Sequence, residues 1–285
     1  MTTGRCGAEG RDSPGPMRAV RAAGHGHAVD NQPMKNLRPE TMGILERVEA
    51  LSGRPVEFKP DSSLTLQATL QIARNGATSH VLRYRPSNEP LDYWVAYQAG
   101  YALRLFELAP DERMDFAGTG AGASGVEVLL KTGQPLTEAD RSILPNFAQM
   151  TVHWALMNLR SYAIGKRIDQ WMADVHPGLR DVQETGIDFL QQENLQLLSK
   201  RVGNLGIPVQ LLAPVGAYAL FADRLLGKSL YAIPHRAAGV LESGKELLAI
   251  SDSIPSDPAH DRDLVDAWAT AIGMTGWYTW VPLQP

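Results

Sequence analysis

Tyr97, Gln98 and Tyr101 are the residues of this chain whose spacing comes nearest to that of a reacting site. They lie in DYWVAYQAGYALRLF, residues 92–106, where the two tyrosines stand four apart and so share one face of a helix. Two imidazoles at that spacing would grip one Zn²⁺, and a carboxylate beside the first would activate the bound water. Phenol and amide do neither job well. Tyrosine titrates near ~10 and must ionise to ligate strongly, while glutamine has the shape of glutamate but cannot act as a general base. An i, i+4 aromatic pair on an apolar helix is also an ordinary core arrangement, and that reading stands beside the first.

The elements that would position these residues are legible on both sides. Met42, Ile44, Leu45, Val48 and Leu51 recur at helical spacing after Pro39 and before Gly53, which predicts a first helix over residues 39–51. VEF at 56–58 reads as a strand, and LQATLQIA at 66–73 with SHVLRYR at 79–85 reads as a hairpin around Asn75-Gly76. Residues 86–90, PSNEP, break the sheet before the 92–106 helix, which carries one charge, Arg104, from Tyr93 onward and should be buried. MDFAGTGAGASG, at 114–125, reads as a flexible connection. Beyond it the pattern is helical. Thr137 caps a helix with Asp140 three positions on, the helix continues through NFAQMTVHWALMNL, and RIDQWMADV and LRDVQETGIDFLQQENLQLLSKRV supply two more. Residues 208–226, 236–250 and 263–272 are further candidates, with 252–263 a surface loop and GWYTWVPL docking the C-terminal aromatics on the body.

Other chemistries find little support. Outside the first 33 residues the histidines are His80, His153, His176, His235 and His260, and no two lie within one helical turn. Gly118-Thr119-Gly120 through Ala123 imitates GxGxxA, with no strand read into it and no βαβ unit around it. Lys131-Thr132 stands at the wrong spacing for a P-loop, and Ser124 lacks the second glycine of a nucleophile elbow. The single cysteine, Cys6, forbids an intrachain disulfide and a Cys-rich zinc site, which suits a reducing cytoplasm.

Composition sets the outer bounds. The 285 residues are 44% hydrophobic and 20% charged, with no apolar run long enough to span a bilayer and a net charge of −4 that gives no general grip on nucleic acid. The expected division is a disordered extension over 1–33, an α/β part over 34–113, a linker over 114–136 and a helical part over 137–285 packed on it as one unit. Met34 is the expected native start, or the segment before it a dispensable extension.

The order helix, strand, hairpin, buried helix and helical second half resembles the compact gluzincin metallopeptidases, including the ImmA/IrrE type. In these a small sheet precedes the HExxH helix and a later helix brings the third ligand. HVLRYRPSNEPLDYWVAYQAGYALRLF is similar to the approach strand and active-site helix, and RIDQWMADVHPGLRDVQ to the helix with the carboxylate ligand. The resemblance covers residues 37–192. It places Tyr97 and Tyr101 on the two histidines, Gln98 on the catalytic glutamate, Gly100 on the small residue before the second histidine and Asp169 on the glutamate ligand. It implies an α+β fold, with a small antiparallel or mixed sheet on a buried zincin-like helix, and a cleft facing Tyr97, Gln98, Tyr101 and Asp169. Because family members cleave repressors, it also implies a regulatory protein or peptide partner, with the edge of the SHVLRYR strand as a docking place. The expectation is a catalytically degenerate binding or regulatory protein with no cofactor. Two alternatives stay open: a hydrolase whose zinc sits at a non-standard site, such as Asp169 with His153 or His176, and a helical interaction protein unrelated to zincins.

Overall fold

The computed structural model describes residues 36–86, 91–133 and 135–283, so the 1–33 extension and most of the 86–90 break lie outside the described residues. Helix α1, Pro39–Ser52, begins on a first-turn proline and ends at Gly53, whose φ of 69° is left-handed. Helix α2, Leu91–Phe106, is apolar on nearly every face and buried along its length. Asp92 in its first turn joins the two, accepting from the Arg38 backbone N–H and the Thr41 hydroxyl, each at 2.7 Å. The free N–H groups at the start of α1 thereby gain an anionic acceptor.

Three strands lie beside α2: β1, Val56–Pro60, β2, Ala68–Gln71, and β3, His80–Tyr84. Asn75 and Gly76, with φ of 54° and 78°, make a tight turn closed by Ala77 N–H to the Arg74 carbonyl at 3.0 Å, as the Asn-Gly pair predicts. The sheet order is β1-β3-β2, with β3 parallel to β1 and antiparallel to β2. Strand β3 is therefore central. The edge of SHVLRYR expected to receive a peptide is already paired on both sides, and β2 provides the open edge next to α2.

The segment 114–136 is not a linker. Met114–Gly118 forms β4, Ala121–Gly133 forms α3, and β4 pairs antiparallel with a C-terminal strand, Tyr278–Pro282. Phe116 stacks on Tyr278 with ring centroids 4.4 Å apart. A Cβ on Gly122 would crowd the Val152 side chain, and one on Gly125 would overlap the Trp277 indole. A strand does run into GTGAGA, contrary to the sequence reading. Its partner is antiparallel, so the βαβ unit that a dinucleotide site needs is still missing there.

One helix, α4, Glu138–Val175, runs through both stretches expected as separate helices. At 38 residues it is about 57 Å long. Thr137 and Asp140 form its reciprocal cap, with Asp140 N–H donating to the Thr137 hydroxyl at 3.1 Å and Thr137 N–H to the Asp140 carboxylate at 3.0 Å. Four longer helices complete the body: α5, Arg180–Leu198, α6, Ala213–Leu226, α8, Leu241–Ser253, and α9, Asp261–Ala271, with the short α7, Ala232–Ala237, between α6 and α8. The result is an α+β fold with small sheets and a mainly helical C-terminal half. Among the described residues one helical span, Val209–Leu226, is long and apolar enough to cross a membrane, and 61% of it is buried inside the protein.

Asp261 ties three helices together. Arg104 of α2 donates to both its oxygens at 2.6 and 2.7 Å, and Arg167 of α4 donates at 2.8 Å. All three side chains are less than 15% exposed. Removing the carboxylate strands two guanidinium groups, so Asp261→Ala should cost on the order of 3 kcal/mol in urea unfolding, whereas an exposed pair such as Arg224 with Asp252 should cost under about 1 kcal/mol.

Candidate functional site

Helices α2 and α4 lie antiparallel, and Tyr93, Tyr97 and Tyr101 form a ladder between them, with successive ring centroids 5.6 and 5.5 Å apart. Tyr97 and Tyr101 both donate to the Ser161 carbonyl, at 3.3 and 2.6 Å. The Tyr97 hydroxyl fills the space over Gly165, where a Cβ would collide with it, and the Tyr93 ring does the same over Gly186 of α5. Burial raises all three phenols, Tyr101 to about 12, and the neighbouring Tyr101 and Tyr93 push Tyr97 further up. They remain neutral hydrogen-bond donors at physiological pH. Of the four residues expected to face a cleft, Tyr97 is only 7% accessible and Asp169, at 0%, faces none.

Gln98 turns the other way. Its amide oxygen accepts from the Leu70 N–H of β2 at 3.3 Å, which holds the sheet edge to the helix. Asp169 stands a full helical turn beyond Gly165, so it faces Tyr93 rather than Tyr97 and Tyr101. The Tyr218 hydroxyl of α6 donates to it at 2.7 Å and the Gln183 amide of α5 at 3.2 Å. Tyr93 lies against it with its hydroxyl buried and unmatched in hydrogen-bonding geometry. Desolvation lifts the Asp169 carboxyl to about 7, against the lowering effect of these donors.

The geometry thus brings Tyr97 and Tyr101 together on one carbonyl, turns Gln98 to β2 at the border of the same cleft, and sets Asp169 apart. Tyr93 belongs to the same ladder, and its spacing of four before Tyr97 was a visible signal. Tyr218 and Gln183 arrive from distant helices without a local signal. The residues do not fit zinc: two phenols are held protonated on one carbonyl, the amide is occupied by β2, and the carboxylate is enclosed. His153 and His176 do not repair the set. His153 is exposed about 24 Å along α4 from Asp169, and His176 packs edge-on against Trp171 at 4.7 Å. His80 and His235 are buried with one ring nitrogen each engaged by backbone, at Ala73 N–H and the Tyr231 carbonyl. Among the described residues no three His, Cys, Asp or Glu side chains group closely enough to hold a metal ion.

What does open to solvent here is a cleft of about 580 Å³ between β2, α2 and α4, lined among others by Leu70, Ile72, Tyr101, Arg160 and Ser161. Since the Leu70 N–H points away from β3, the alternation of an antiparallel ladder turns alternate backbone groups of β2 outward, on the side of α2. Arg160 of α4 lies over the Tyr101 ring at 6.0 Å, its Nε buried without a partner. Among the described residues its guanidinium makes no hydrogen bond or ion pair. Compared with known protein families, curated proteins and solved structures, the chain matches none.

Asp169 makes the interior pH-sensitive. Its carboxyl is raised from an unfolded value near ~3.9 to about 7, so between those values the folded state holds a proton that the unfolded state has lost. Stability from this group is greatest at acidic pH, falls as pH rises through that window and levels off above it. Asp169→Asn should remove up to about 4 kcal/mol of that pH dependence in urea unfolding compared across the window. An unchanged slope in the variant would show that Asp169 ionises normally.

Proposed function

We propose that this chain is a cytoplasmic, metallopeptidase-like binding protein that does not hydrolyse peptides, and that its cleft receives an extended, acidic segment of a regulatory protein partner. The observation that carries the reading is the juxtaposition of an open strand edge with an unpaired guanidinium, Arg160, in one cleft. An added strand would draw on the outward backbone groups of β2, displacing the long Gln98 contact from the Leu70 N–H, and a carboxylate of that segment would pair with Arg160. Hydrolysis finds no support in the same walls, because neither a phenol held on the Ser161 carbonyl nor the Gln98 amide can activate water as a general base.

Fluorescence anisotropy with a panel of extended peptides of graded acidity tests this. Acidic peptides should bind saturably, Arg160→Gln should weaken them by about tenfold, and Arg160→Lys should restore part of the loss. Equal binding of acidic and basic peptides, indifference to Arg160→Gln, or cleavage of the peptides would contradict the proposal.

A further inference from the structure

A second cleft, about 630 Å³, opens between α4, α6 and the segment following α8, and it shares no lining residue with the first. Four cations line it, Arg104, Lys166, Arg167 and Arg224, with the carboxylates Asp174 and Asp252. Most of these charges are occupied. Arg104 and Arg167 serve Asp261 and the carbonyls of Ile254, Pro255 and Ser256. Asp174 accepts from Gln170 at 2.9 Å, and Arg224, more than half exposed, reaches Asp252 only loosely, at 3.2 and 3.4 Å.

Lys166 is the exception. It is 7% exposed and lines the cleft, yet among the described residues its ammonium makes no hydrogen bond or ion pair. Asp261, with Asp257 behind it, balances the two arginines, and Lys166 is the cation of this cleft left without an ion pair among the described residues. A largely buried lysine whose ammonium faces the cleft, near Asp252 but with no hydrogen bond or ion pair, is a ready position for an anion. Trp171 and Phe221 add apolar wall beside it.

We propose that this cleft binds a small organic phosphate, with its phosphoryl oxygens on Lys166 and Arg224 and its organic body against Trp171. A phosphoryl group presents separate oxygens to two donors and carries nearly two charges, enough to draw Arg224 from its loose contact with Asp252. The volume exceeds what an inorganic ion needs, which leaves room for the organic part. Burial first, then Arg167, Arg224 and Arg104, pull the Lys166 amine down to about 8 against the opposing effect of Asp252. Binding of the anion therefore takes up a proton at mildly alkaline pH, and affinity falls as pH rises through that value.

Isothermal titration of the full chain with phenyl phosphate, inorganic phosphate and citrate tests the site. Phenyl phosphate should bind one-to-one and more tightly than inorganic phosphate, and Lys166→Met should weaken it by at least about tenfold. Arg224→Gln, at an exposed position, should weaken it severalfold, and it carries the test if the Lys166 variant does not fold. No saturable binding of phenyl phosphate, citrate binding as tightly, or affinities untouched by Arg224→Gln and by a folded Lys166→Met would overturn the proposal.

Discussion

The antiparallel contact between α2 and α4 is the constraint on which the rest of the structure depends. Tyrosines at 93, 97 and 101 rise along one face of α2 and meet Asp169, Gly165 and Ser161 in descending order along α4. Three aromatic rings bury a large apolar area in one seam, and their hydroxyls need polar partners inside it. The Ser161 carbonyl satisfies two of them, while the third lies beside Asp169. From this seam α2 reaches outward in three directions, to α1 through Asp92, to β2 through Gln98 and to α9 through Arg104. Moving α2 along α4 by one turn would put Gly165 under the wrong ring and undo all of these together.

The same packing decides which groups are left for chemistry. The Tyr97 and Tyr101 hydroxyls and the Gln98 amide, which could have faced a substrate, are matched within the protein, so the functional surface passes to neighbours that the seam leaves open. Arg160 and Lys166 illustrate this. Both belong to α4, about 120° apart around the helix, and each carries a positive charge into a separate cleft with no hydrogen bond or ion pair among the described residues, Arg160 lying over the Tyr101 ring and within the field of Asp115, and Lys166 within that of Asp252. The tyrosine ladder between them meets one carboxylate, the enclosed Asp169, which favours its protonated form through most of the acidic range. Binding by charge at two clefts is thus separated from the neutral aromatic ladder that joins the two helices.

Local signals in the sequence carried much of the fold. Pro39 and Gly53 bounded α1, Asn75-Gly76 made the turn before β3, and the Thr137–Asp140 box opened α4. What stayed hidden depended on partners far along the chain. The run MDFAG is strand because residues near 280 pair with it, and Gly122 and Gly125 are small because Val152 and Trp277 lie against them. Nothing within a dozen residues indicates either fact. The candidate site divides in the same way. Tyr97, Gln98 and Tyr101 were found from spacing on one helix, whereas the enclosure of Asp169 by Tyr218 and Gln183 and the isolation of Lys166 arise only when α4, α5 and α6 pack. An acidic residue on a helix gave no hint of burial, and a lysine in GKRIDQ gave none of a cleft.

The central claim is that the Tyr97, Gln98 and Tyr101 face is a packed seam and cleft wall rather than a metal centre. Calorimetric titration of Zn²⁺ into the untagged protein, alongside the Tyr97→Phe/Tyr101→Phe double variant, tests it most directly. The account predicts no saturable one-to-one zinc binding that depends on these hydroxyls, in either protein. One equivalent of tightly bound zinc in the wild type, lost in the double variant, would contradict it.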